Sequence, residues 1–433
     1  MLASKIKGVY VMQSNTMSKV MRSMMVAGLG LLLSVAAAGV AQAKEFVLGF
    51  QCDRSGPTQT VGAFLCDGVH DYFRLVNKQE KFGAGNSVRV FEIDIAYNTP
   101  RGVEAYERHK AAGALTYMIW GTPITYALTP KLHKDHIPGT SPGFGSAGAA
   151  NGKEFPYLFP MAATYWSQMA GAVKFMQDKW KAAGKSGQPK VAYLFYDNPA
   201  GREPLPVLRD LQKQLGFTLR EFAVPPPAVE MRPQVLDIVR NYKADWVIAH
   251  LFGRAPGISI KELSRLRFPM NRIISFVWGG AEADINVAGW KTAQGYQSLQ
   301  FAGVGQDHQI IRDIKKMYQD EGKAPPMDKM KISVFYNRGI LIGAFHAEAI
   351  ANAIKKHGNN ITGEHTKEGF ENIRNFAMGN FAPPVSVTPE DHEGGGWVQV
   401  WEVKGDKWVP ASKWMAPYRD VVMKHVRATK YKK

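Results

Sequence analysis

Cys52 and Cys66 are the chain's two cysteines. In an oxidising compartment such a pair is read as a disulfide, with two small buried thiols as the alternative. His133 and His136 flank Lys134-Asp135 in an H-x-x-H spacing that could seat a metal ion. Leu128 and Leu132 supply the apolar side of the same segment, so a polar helix face is the plainer reading and no metal or cofactor is expected. Gly143-Phe144-Gly145-Ser146-Ala147-Gly148 matches the dinucleotide fingerprint letter for letter. Its context does not match. Pro138-Gly139-Thr140-Ser141-Pro142 makes a poor central strand, and Asn151-Gly152-Lys153 opens no long helix. A glycine-rich loop that approaches a ligand with its backbone fits better. No Walker loop or zincin H-E-x-x-H pair is present. Carboxylates such as Glu282 and Asp284 do not by themselves identify an acid–base pair. The chemistry indicated is binding rather than turnover, and the chain is not expected to be an enzyme.

The aromatics carry more information. Trp120, Tyr126, Phe144, Phe195, Tyr196, Phe252 and Trp278 fall in or beside loops that follow apolar runs. About half of them, Phe195 first, belong to ordinary core packing; the others suit the wall of an apolar pocket.

Those loops need strands and helices to hold them. Residues 46–50 form a first strand, ending in the turn Asp53-Arg54-Ser55-Gly56-Pro57. Leu65, Val69, Tyr72 and Val76 then repeat on one helical face, as do Met169, Val173, Met176 and Trp180 later. Residues 88–95 and 115–120 read as strands around a helix near 103–112. A second series begins after Pro189, with strands at 191–196, 246–251 and 273–278 and a helix marked by Leu208, Leu211 and Leu215. Short, near-continuous apolar strands separated by helices imply parallel sheets covered on both faces, hence an α/β chain of two Rossmann-like lobes. Residues 397–403 alternate instead, and Gly405-Asp406 turns a hairpin toward Trp408 and Val409. Ligands of open parallel sheets bind beyond the carboxyl ends of the strands, so the loops after Phe50, Trp120, Tyr196, Leu251 and Trp278 are where a site is expected.

The N-terminus reads as a cleaved secretory signal over residues 1–43. Lys19 and Arg22 precede an apolar run at 24–40 that closes in Ala41-Gln42-Ala43. A membrane span is the weaker reading, because the run is rich in Ala and Gly and only about 17 residues long. Export to the periplasm is the expected localisation. The 45% hydrophobic and 21% charged composition is that of a globular protein with a substantial core. The net charge of +17 is spread along the chain rather than blocked, which argues against a nucleic-acid partner.

Several pieces together resemble the periplasmic receptors of branched-chain amino acid type ABC importers, the Leu/Ile/Val-binding family. They are Ser55-Gly56-Pro57, Gly62, Asn77, Trp120-Gly121-Thr122-Pro123, Thr140-Ser141-Pro142-Gly143 and Phe155-Pro156-Tyr157-Leu158-Phe159-Pro160. The strand ending in Asp197, Tyr336 with the helix at 344–355, and Pro389-Glu390-Asp391-His392 before Trp397 extend the likeness. The resemblance implies a type I periplasmic binding fold, with two lobes joined by a three-crossover hinge. It divides the chain into lobe one at 44–164 and 302–381, and lobe two at 165–301 and 382–433 with a C-terminal extension. It implies a small-molecule ligand delivered to permease subunits in the inner membrane. By position, Thr122, Thr125, Ser141, Gly143, Phe144 and Gly145 would anchor the ligand from lobe one, with Tyr336 as a further contact. Asn198, Arg202, Phe252, Trp278 and Glu282 would meet it from lobe two. The chain departs from the family where an amino group should be received: Trp278-Gly279-Gly280 stands there, and Glu282 comes about two residues late. The solute expected is amino-acid-like, an amide or an aromatic acid, and that change points to the latter two rather than to an aliphatic amino acid. A ligand-sensing subunit on the same fold, a secreted hydrolase and a secreted adhesion protein are the alternatives.

Overall fold

The structure, a computed structural model, describes residues 43–228 and 230–431. The signal segment over 1–43 therefore lies almost entirely outside the described residues. Among the described residues no helix is long and apolar enough to cross a membrane.

The first sheet holds β1 (Glu45–Cys52), β2 (Ser87–Asp94), β3 (Ala114–Met118), β4 (Gly139–Thr140) and β5 (Leu158–Phe159). Its order is β2-β1-β3-β4-β5, and every pairing is parallel. β1 is buried along all but its first residue, which is why its sequence reads as an unbroken apolar run. Between the strands run α1 (Gln59–Lys78), α2 (Thr99–Ala111) and α3 (Thr122–Asp135). Leu65, Val69, Tyr72 and Val76 of α1 are buried together, as their spacing requires.

The second sheet begins after α4 (Tyr165–Ala182). Its parallel part is β6 (Lys190–Tyr196), β7 (Thr218–Val224), β8 (Trp246–His250), β9 (Ile273–Ser275) and β10 (Gln297–Gln300), with α5 (Leu205–Leu215), α6 (Ala255–Arg265) and α7 (Glu282–Ala288) between them. The strand expected over 273–278 stops at Ser275, because residues 277–279 form a short helical turn that directs Trp278 toward the first lobe.

The chain then returns to the first lobe. α8 (Gln309–Asp320) packs on α1, and α9 (Ser333–His357) lies along α1 with α10 (Gly363–Glu371) beside it. The approach of α1 and α9 depends on two glycines. A Cβ on Gly68 would lie 2.2 Å from the Tyr336 carbonyl oxygen, and one on Gly339 would lie 2.0 Å from that of Leu65. A last passage leads to β11 (Gln399–Lys404) and β12 (Lys407–Pro410), an antiparallel hairpin on the edge beside β10. The chain thus passes between the two sheets three times, after β5, after β10 and before β11, and the fold is the two-lobed, three-crossover α/β type.

α11 (Arg419–Ala428) packs on α4 and α5 of the second lobe, and its His425 pairs with Asp210 at 3.0 Å. The residues after it cross to the first lobe. The Asn151 amide donates to the Thr429 carbonyl at 3.2 Å, Lys430 pairs with Glu154 at 2.8 Å, and the Tyr431 ring stacks on His133 with centroids 4.4 Å apart. The chain therefore straps the second lobe to the first.

Candidate functional site

A cleft of about 470 Å³, counted together with the solvent at its mouth, lies where the carboxyl ends of both parallel sheets face each other. From the first lobe come Trp120 after β3 and Phe144 after β4, with Val61 and Leu65 of α1 and Ile342 of α9 behind them. From the second lobe come Phe252 after β8 and Trp278 after β9. Tyr165, at the start of α4, stands at the first passage between lobes. The hydroxyl-bearing side chains of the wall are those of Thr58, Tyr97 and Tyr165, and none of its side chains is charged.

The wall is held by hydrogen bonds. The Trp120 indole donates to the Thr58 hydroxyl at 2.9 Å, and that hydroxyl donates to Asp53, which also receives the Thr58 backbone N–H at 2.8 Å. Asp53 closes the turn that the sequence places after β1. The Trp278 indole reaches across the cleft and donates to the Gly143 carbonyl at 2.8 Å. Gln168 of α4 donates to that same carbonyl at 2.8 Å, while its own oxygen receives the Val277 N–H at 3.3 Å. One glutamine thereby joins the loops of both lobes.

Of the residues expected to bind, Phe144, Phe252 and Trp278 line this cavity. Thr122 and Gly143 brace it instead, since the Thr122 hydroxyl receives the Gly145 N–H at 3.2 Å. Thr125 donates within its own helix to the Gly121 carbonyl at 3.0 Å, and Ser141 is buried with its hydroxyl unpaired. Asn198 caps a helical turn through the Gly201 N–H at 3.0 Å, and Arg202 pairs with Asp197 beside it. Tyr336 donates to Asp71 at 2.7 Å inside the α1–α9 contact. Glu282 receives the backbone N–H groups of Ser333 and Val334, each at 3.2 Å, and caps α9 from the opposite lobe. These residues are structural neighbours of the cavity or lie apart from it. Cys52 and Cys66 are joined in a disulfide between β1 and α1.

The glycine-rich loop is occupied by protein. Glu203, between β6 and α5, receives the Ala147 backbone N–H and the Tyr126 hydroxyl, the latter at 3.0 Å. A Cβ on Gly145 would lie 2.0 Å from the Glu203 carboxylate, so glycine serves this close contact. Burial pushes Glu203 up to about 7. His133 hydrogen-bonds the Thr129 carbonyl at 2.8 Å and His136 pairs with Glu364 at 2.8 Å, so the two rings serve different contacts.

Thr58, Tyr97, Tyr165 and Ile342 were not legible as site residues. Thr58 follows the Ser55-Gly56-Pro57 turn at once and was the one with a local signal; Ile342 is far along the chain and reaches the site only through the α1–α9 contact.

A family model described as periplasmic binding protein matches residues 45–407. No curated protein matches the chain significantly. Among solved structures, the chain is similar to one described as an ABC transporter permease from the Pseudomonas fluorescens group, at 29% identity and TM-score 0.80, over 90% of this chain and 96% of that one. It shares its fold with a branched-chain amino acid ABC transporter protein from Thermus thermophilus with bound valine, at 22% identity and TM-score 0.74, over 89% and 99%. A fatty acid ABC transporter substrate-binding protein from Thermomonospora curvata aligns at 15% identity and TM-score 0.72, over 88% and 94%. With its two sheets, three passages and facing strand ends, the chain belongs to the periplasmic binding protein family.

Proposed function

We propose that this protein is a periplasmic receptor that captures a small, flat, largely apolar solute between its lobes and hands it to the permease of an ABC importer. The observation that carries this reading is the composition of the cleft wall. Aromatic rings come from the strand ends of both lobes, and no carboxylate stands among them to receive an ammonium group. An aliphatic amino acid would leave its charged amine unpaired there, at a cost that a neutral ring does not incur. A solute touching both lobes gains its full contacts only when they close, so binding shifts the population toward the closed form the permease reads. Calorimetry with leucine and with simple aromatic acids and amides tests the proposal. Binding of the aromatic compounds alone is expected; micromolar leucine binding without aromatic binding would overturn it.

A further inference from the structure

Arg338 lies on α9, one helical turn before Ile342 of the cavity wall, and only 1% of it is exposed. Its Nη2 donates to the Gln300 side-chain oxygen, while Nε and Nη1 have no acceptor. Such donors, removed from water and left unpaired, are strongly disfavoured unless something else satisfies them. The guanidinium carbon stands 5.1 Å from the centre of the Trp278 ring, 4.9 Å from that of Phe301 and 5.7 Å from that of Phe335. Rings hold a cation but accept no conventional hydrogen bond from it along these directions. The neighbouring carboxylates are engaged elsewhere: Glu282 caps α9, and Asp284 receives the Ala281 N–H at 2.9 Å. Burial pushes Asp284 up to about 7 and raises Glu282, which weakens their charge, while Arg338, lowered to about 9 by burial, stays cationic at neutral pH.

We propose that Arg338 binds the carboxylate of an aryl carboxylic acid whose ring rests against Trp278. The proposal rests on the cleft being the solute site and specifies which solute it takes. Trp278 belongs to the second lobe and Arg338 to a helix packed on the first, so separation of the lobes would withdraw the indole, one of the three rings around the guanidinium, and open that side to an incoming acid. Closure then returns the indole over it. A guanidinium is built to pair with a carboxylate, and an uncharged amide of the same shape cannot replace that pairing.

The test compares benzoate and phenylacetate with benzamide and phenylacetamide by calorimetry at pH 7, on the full chain and on Arg338→Met. The acids should bind the unaltered protein at least about tenfold more tightly than the amides. Arg338→Met should erase that difference while leaving amide binding within about threefold. Equal binding of acids and amides to the unaltered protein would overturn the role of Arg338 and leave the aromatic cleft standing. Binding of neither series would overturn both. If Arg338→Met does not fold, the acid–amide comparison on the unaltered protein decides alone.

Discussion

The carboxylate of Glu203 receives the hydroxyl of Tyr126 at 3.0 Å, and the two residues belong to different lobes. With the Ala147 N–H on its other oxygen, Glu203 is a clasp between the strand-end loop of one lobe and the glycine-rich loop of the other. Both contacts can form only when the lobes are together.

Closure should therefore depend on pH. A solvated glutamate titrates near 4.5, whereas burial raises Glu203 to about 7 in the closed form. Closing takes up a proton between those values, so solute affinity should be highest below about pH 4.5, fall between about 4.5 and 7 and level off above that. Glu203 keeps some solvent contact, and the slope should be shallower than tenfold per unit. Calorimetry from pH 5 to 8 measures it. Glu203→Gln should flatten the profile; an unchanged slope would assign the dependence to another group.

Trp278→Ala removes a ring of the wall together with the indole bond to Gly143 across the cleft. Solute binding should weaken at least tenfold, or about 1.4 kcal/mol. Titration against the unaltered protein measures this, and an unchanged dissociation constant would remove Trp278 from the site.

Glu282→Ala should lower stability by about 1–2 kcal/mol, because the first N–H groups of α9 lose their cap and Ile332, the residue before the helix, supplies no side-chain acceptor. Glu282→Gln, which keeps an accepting oxygen, should recover part of the loss. Chemical denaturation of the two variants distinguishes a cap from a ligand contact, since the loss appears without solute.

Replacing Cys52 and Cys66 together by alanine should cost about 3 kcal/mol, the loop-closure value for a bridge of this span. The urea midpoint should fall, and added reductant should shift the unaltered protein toward the variant.

The strands that stand out most clearly in the sequence are those with near-continuous apolar runs, while β11 shows through its alternation. β1, β6 and β8 carry apolar residues on both faces, so their runs stand out. β10 escaped because its residues are Gln297, Ser298, Leu299 and Gln300, all buried, three of them polar, with Gln300 donating to the Gly280 carbonyl. Burial of polar groups in a hydrogen-bonded strand leaves no hydrophobic trace. The site shows the same division. Phe144, Phe252 and Trp278 follow apolar strands and could be placed by that rule, whereas Glu203 lies in a polar stretch and Arg338 is a charged residue inside an apolar helix, and neither position announces its partners. Their importance arises from contacts between segments remote in sequence, which no local pattern encodes.

The strap that ends in the Tyr431–His133 stack offers a way to watch this molecule work. Its helix packs on α4 and α5 of the second lobe and also meets the turn at Ala147–Ala150 of the first, while its last ring rests on His133 of the first. A hinge rotation must change the strap's contacts with one lobe or the other. A fluorescent dye attached at position 431 would then change its surroundings with each rotation, turning the receptor into an optical sensor of its own cargo while leaving the binding surface chemically untouched.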